Sequence, residues 1–175
     1  GRPRGGDVSA GVRLTSEEAA PLLHAVCARV AEDAGLRVLA IKGPTAGLQG
    51  LRAPRPSADV DVLVHPDDLE SFVARMLDAG WRRAPVMEAP GYMPHHSVNL
   101  LSDYWPTGID VHHYFPGFLV EARETFEVLW ARRVDAKLAT RPVPACDPVA
   151  HASLLALHLL RDHQDGFGAE AFDLA

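Results

Sequence analysis

The 175-residue sequence predicts a mixed α/β (α+β) domain, a small mixed β-sheet flanked by helices and followed by a C-terminal helical tail. Three observations predict it. Helix-period and strand-period segments alternate through the first 80 residues. Short β-branched runs then follow one another between turns rich in proline and glycine ("EAPGYMP", "DYWPTG"). The last third returns to helical spacing. A hydrophobic fraction of 47% fits a globular chain with a real core.

The elements justify themselves in order. Thr15 and Glu18 form a capping box for a helix from Thr15 to Gly35, with Leu22, Leu23, Val26 and Val30 as its apolar stripe. "LRVLAIKG" reads as a strand that leaves through Lys42-Gly43. "PTAGLQGL" reads as a short helix with Pro44 at its first position, where a missing N–H is harmless. "RAPRPSA" is a proline-rich loop carrying Arg52 and Arg55, and "SADVDVLV" a strand. "HPDDLESFVARMLDAGW" is a helix begun by Pro66 and ended by Gly80, with Leu69, Phe72, Val73, Met76 and Leu77 along one side. Strands are predicted over 81–87, 95–101 and 109–114, a helix over 119–132, and one strand within "VDAKLATRPVP". Asp147 caps a last helix from Pro148.

Residues 1–14 read as a flexible arm, 15–145 as the domain, and 146–175 as a helical segment. The first residue is not Met and "AEAFDLA" ends without a helix stop, so the natural chain is expected to continue. Cys27 and Cys146 stand far apart with no CxxC spacing, which predicts structural thiols in a reducing compartment. No apolar run approaches the roughly 18 residues of a membrane span, and no signal peptide is visible. The expectation is a cytoplasmic protein. A formal charge of −6 argues against a long nucleic-acid partner.

The chemistry-bearing residues are anomalies in apolar surroundings. In an extended strand Asp59 and Asp61 share one face while Val60, Val62 and Val64 share the other. Buried carboxylates need a partner, water or a cation. In "GIDVHH" Asp110 repeats the anomaly. If the two strands adjoin, three carboxylates cluster and can hold divalent metal for an in-line displacement at phosphorus. The Lys42-Gly43 exit into a helix start is a place where phosphate is attracted.

In that order, "IKGPTAGLQGL", "RPSADVDVLV" and "GIDVHHYF" resemble the polymerase-beta-like nucleotidyltransferase superfamily, and within it a branch of uncharacterised bacterial nucleotidyltransferases. The resemblance spans about residues 37–163. It implies transfer of a nucleoside monophosphate from an NTP, ATP by default, to a small-molecule or peptide acceptor. It also implies Mg2+, or Mn2+ in its place, held by Asp59, Asp61 and Asp110, which are the catalytic residues as well. Lys42, Gly43, Thr45 and Arg55 would bind the nucleotide. The chain departs from the family turn at Pro44, where Gly or Ser is usual, and its loop from Gly43 to Asp59 is slightly longer. The alternative is an inactive nucleotidyltransferase-like protein that binds or regulates.

His95, His96, His112 and His113, with Asp103 and Asp110, superficially suggest a zinc or iron site, that of a metallohydrolase. Adjacent strand residues face opposite ways, so each of the pairs His95-His96 and His112-His113 can offer at most one ligand. His112 shares a face with Asp110 and is expected near the third acid or the acceptor. His151 and His158 are expected to be partly buried packing histidines of the last helix, open to hydrogen bonding, rather than ligands.

Overall fold

The structure, a computed structural model, describes residues 14–53, 59–85 and 96–164, the last three by backbone alone. Helix α1 (Ser16–Asp33) starts at the expected capping box: Thr15 Oγ1 accepts from Glu18 N–H, and Thr15 N–H donates to the Glu18 carboxylate at 2.9 Å. Strand β1 (Val38–Ala40) and helix α2 (Gly43–Leu48) flank the Lys42-Gly43 turn. After them come β2 (Asp59–Val64), a 3-10 turn (Pro66–Asp68) and α3 (Leu69–Asp78). The strands β3 (Arg82–Arg83), β4 (Ser97–Leu101) and β5 (Gly108–His112) fall where the three middle strands were expected, while residues 86, 87 and 95 of those expectations lie outside the described residues. Helix α4 covers Ala122–Ala131 and α5 Pro148–Gln164. Asp147 Oδ1 caps α5, accepting from Val149 and Ala150 N–H.

One expectation was too small. "VDAKLATRPVP" holds two strands, β6 (Val134–Leu138) and β7 (Arg141–Ala145), joined as an antiparallel hairpin. The sheet is therefore seven-stranded, in the order β3-β4-β5-β2-β1-β7-β6. It is mixed: β2 runs parallel to β5 and β1 parallel to β7, while the other neighbouring pairs are antiparallel.

Helices cover both faces. On one face Leu23 and Cys27 of α1, together with Phe72, Val73 and Met76 of α3, pack on Val60, Val62, Val64, Ile109 and Val111. On the other, Phe126 and Leu129 of α4 and Leu154 of α5 pack on Leu39, Ile41 and Leu63. Strand alternation puts Asp61, Asp110 and His112 on this second face, beside Leu63. Cys27 and Cys146 are buried free thiols, and burial pushes both up to about 12. No helix among the described residues is long and apolar enough to cross a membrane.

Candidate active site

Parallel pairing of β2 with β5 puts Asp61 directly opposite Asp110, and Asp59 opposite Gly108. The two acids that the sequence separates by 48 residues thus stand on one rung of the sheet. His112, one strand step beyond Asp110, closes the group. Its Nε2 lies 3.0 Å from Asp61 Oδ1 and 3.0 Å from Asp110 Oδ2. One ligand atom from each of Asp61, Asp110 and His112 falls within 4.8 Å of the others, a spacing that suits a shared cation.

Lys42 supplies the other local cation, its Nζ 2.6 Å from Asp61 Oδ1. Asp61 is 4% exposed and Lys42 7%. Burial penalises the charge on Asp61, yet the His112 hydrogen bond and the Lys42 ammonium outweigh that penalty and hold the carboxyl well below the usual range. Asp110 follows the same logic: burial opposes its charge, and the bond from His112 brings the net shift downward. For His112, burial disfavours the cation, but hydrogen bonds to Asp110 and Asp61 raise its basicity. Two carboxylates thus confront the Lys42 amino group and the His112 ring in a space largely closed to water. Asp110 Oδ1, also buried, has no hydrogen-bond partner among the described residues.

Asp59 sits differently. It lies at the start of β2 with its residue exposed, outside the tight group. Burial of its carboxyl and the neighbouring charge of Asp61 push its pKa upward, and Lys42 pulls it back.

The turn that carries Lys42 has unusual backbone geometry. Lys42 has φ 55° and ψ −149°, and Gly43 has φ 47°. Such values are rare for a side-chain-bearing residue and need support from the surroundings. Thr45, fully buried, donates its hydroxyl to the Lys42 carbonyl at 2.5 Å, so that hydroxyl closes the turn from inside. Helix α2 starts one residue earlier than expected, at Gly43, so Pro44 is its second residue. Arg52 donates to the Gly43 carbonyl at 3.3 Å. Arg55 lies outside the described residues, as does His95. A cavity of about 370 Å3 adjoins the turn, lined by Gly43, Pro44 and Gly47 with Ala20 and Pro21. None of the three aspartates lines it.

Two further histidines matter, one whose partner sequence reasoning left open and one it did not single out. His151, expected to be packing, accepts the Lys42 N–H through Nε2 at 2.7 Å. His24 on α1 is 1% exposed, neither ring nitrogen has a hydrogen-bond partner among the described residues, and its Nε2 lies 3.4 Å from where a Gly43 Cβ would stand. A polar residue within an apolar helix stripe was the available signal, because a buried imidazole needs a partner. His96 stacks beside His112 at 5.5 Å between ring centroids, and Arg161 of α5 reaches His96 and His158.

The fold and the family can now be compared with known proteins. A family model described as "uncharacterised nucleotidyltransferase" matches residues 13–172. Among solved structures, a candidate nucleotidyltransferase from Thermotoga maritima superposes with a TM-score of 0.58 at 10% identity, covering 90% of this chain and 94% of its own. ANT(2")-Ia in complex with adenylyl-2"-tobramycin gives 0.55 at 14% identity, covering 82% and 76%. The lincosamide antibiotic adenylyltransferase LnuA, lincomycin-bound, gives 0.51 at 13% identity, covering 80% and 85%. At these identities the likeness is one of fold. No curated protein matches the chain in sequence.

Proposed function

Because the chain belongs to this family of uncharacterised nucleotidyltransferases, we propose that it transfers a nucleoside monophosphate from an NTP to a hydroxyl-bearing small molecule or peptide. The observation that carries the proposal is the shared rung of Asp61 and Asp110, with Lys42 and His112 between and beside them. ATP is taken as donor and a small molecule as acceptor, in keeping with the adenylyltransferases and antibiotic ligands named for two structural neighbours.

The donor set fits a divalent oxygen-seeking cation. Carboxylate oxygens are hard ligands, and the orphaned Asp110 Oδ1 is a buried acceptor in want of a partner. Asp61 and Asp110 would hold Mg2+, or Mn2+ in its place, with Asp59 reaching in from the strand start. When bound, the metal supplies positive charge for the triphosphate and for the pyrophosphate that leaves. The rest falls to the chain itself. Lys42 brings an ammonium to the same carboxylates, where phosphate oxygens gather. Gly43, without a side chain, lets the backbone approach the phosphates, and Thr45 keeps that turn closed. Arg55 is assigned to the triphosphate as well. Asp110 takes the proton from the acceptor hydroxyl as its oxygen bonds to the α-phosphorus and the α–β bridge breaks. His112 holds Asp61 and Asp110 at fixed separation and faces the acceptor. Rate enhancement then comes from positioning and from charge arranged in advance.

A second reading, a nucleotidyltransferase fold that binds without turnover, draws on Pro44, which has no N–H to offer a phosphate. Calorimetric titration of each NTP with and without Mg2+ separates the two from a failed assignment. The expected result is Mg2+-dependent binding of one NTP, weakened about 100-fold or more in Asp59→Asn/Asp61→Asn. Binding followed by no pyrophosphate release with any acceptor would favour the second reading. Folded wild-type protein that binds no NTP would overturn both.

A further inference from the structure

We infer that His151 is a positioning residue that holds the Lys42 turn in the conformation that delivers Lys42 Nζ to Asp61. The inference rests on the nucleotidyltransferase reading only for what the turn is used for.

The physical case begins with the backbone. Lys42 occupies φ 55°, ψ −149°, a region almost reserved for glycine. Residues held there are strained and persist only where the surroundings impose them. Both backbone polar groups of Lys42 are engaged. Its carbonyl accepts from the Thr45 hydroxyl and from Ala46 N–H. Its N–H, with no strand or helix partner, donates to His151 Nε2 at 2.7 Å. No local element supplies that acceptor; it arrives from α5, 109 residues later.

The acceptor is itself prepared. His151 Nδ1 lies 2.6 Å from Gln49 Oε1, and the Gln49 amide donates to the Cys146 carbonyl at 2.7 Å. Since the Gln49 amide nitrogen faces a carbonyl, its oxygen must face His151, so Nδ1 carries the proton. Nε2 is then left with a lone pair, aimed at Lys42. His151 is 0% exposed, which favours the neutral ring that this role requires. The chain Cys146–Gln49–His151–Lys42 thus runs from the α5 entrance to the phosphate turn. It links α2 and α5 to the ammonium that meets Asp61. The ring touches none of the three aspartates in any hydrogen bond described, so its influence passes through Lys42.

The test uses 15N-labelled full chain as wild type, His151→Leu, His151→Gln and Gln49→Met, read by NMR and by ATP–Mg2+ titration. In wild type the His151 ring nitrogens should show the Nδ1-protonated tautomer, and the Lys42 amide should exchange slowly. In His151→Leu exchange at Lys42 should accelerate at least about tenfold more than at Val62, a core amide of β2, and ATP affinity should fall about tenfold or more. His151→Gln, which sets an amide oxygen near the former Nε2, should restore most of both. Gln49→Met keeps the ring but releases its tautomer, and should give an intermediate loss even if His151→Leu fails to fold. Three results would overturn the inference: an Nε2-protonated ring in wild type, Lys42 exchange that merely tracks Val62, or ATP affinity that tracks melting temperature across the variants. If wild type binds no nucleotide, the proposed activity fails, while tautomer and exchange still decide the role of His151.

Discussion

The three aspartates look alike in sequence, yet their surroundings assign them different dependencies. Asp61 lies between a lysine and a histidine that are themselves buried. Asp61→Asn therefore leaves buried Lys42 facing a neutral amide, and breaking a buried pair in this way costs about 3–5 kcal/mol. Asp59 is exposed and outside the tight group, so Asp59→Asn should change stability by less than about 0.5 kcal/mol. Both should depress nucleotidyl transfer by about two orders of magnitude or more. Urea unfolding of the two variants beside a pyrophosphate-release assay checks the contrast. Equal loss of stability would mean that Asp59 is as embedded as its neighbour. At this scale the acids were readable, because charge in a valine strand is conspicuous. The role of His151 was not: its meaning depends on an amide 109 residues away, which no local pattern encodes.

Among the elements, the capping box of α1, the proline at the start of α2 and the aspartate cap of α5 stand where local chemistry put them. The β6–β7 hairpin was half hidden, and its turn explains why. Ala139 and Thr140, the two residues between the strands, have φ 47° and 70°. Two-residue hairpins of this kind usually advertise themselves with Asn-Gly or Asp-Gly. Pro142 and Pro144 in β7 further disguise a strand, and β7 meets β1 only at Ala145, beyond the last proline. Giving the turn its preferred residues, Ala139→Asn with Thr140→Gly, should stabilise the domain by about 1 kcal/mol, measured as a raised urea midpoint. Gly43 makes the opposite case. With φ 47° and His24 Nε2 at 3.4 Å from a would-be Cβ, Gly43→Ala should destabilise by about 1–2 kcal/mol. Nucleotide affinity should drop with it in the same titration.

For the molecule as a whole, buried neutral histidines predict an acid sensitivity. Burial, with smaller electrostatic contributions, lowers His24 and His151 from 6.5 to about 4. Below pH 6.5 the unfolded chain binds protons at these sites and the folded chain does not, so stability falls as pH drops and the loss ends near pH 4. His112 is shifted the other way by its hydrogen bonds to Asp110 and Asp61, so it opposes this trend near and above pH 6.5 and not at the acid end. The expected loss is on the order of 1–3 kcal/mol for each lowered histidine. Urea midpoints at pH 7, 5.5 and 4.5 measure it, and a flat profile would mean these rings charge freely in the native state. The layered architecture was readable in outline from alternating periodicities, but the strand order was not, since non-local pairing leaves no mark on either strand alone. That pairing has its own consequence. The acids of one rung are encoded on either side of a long excursion that holds α3, β3 and β4. A chain severed within that excursion would yield two pieces, each carrying part of the acidic set and neither competent by itself. Rejoining them through a pair of fused tags would switch the set back on, which makes this protein a natural starting point for a split reporter of proximity.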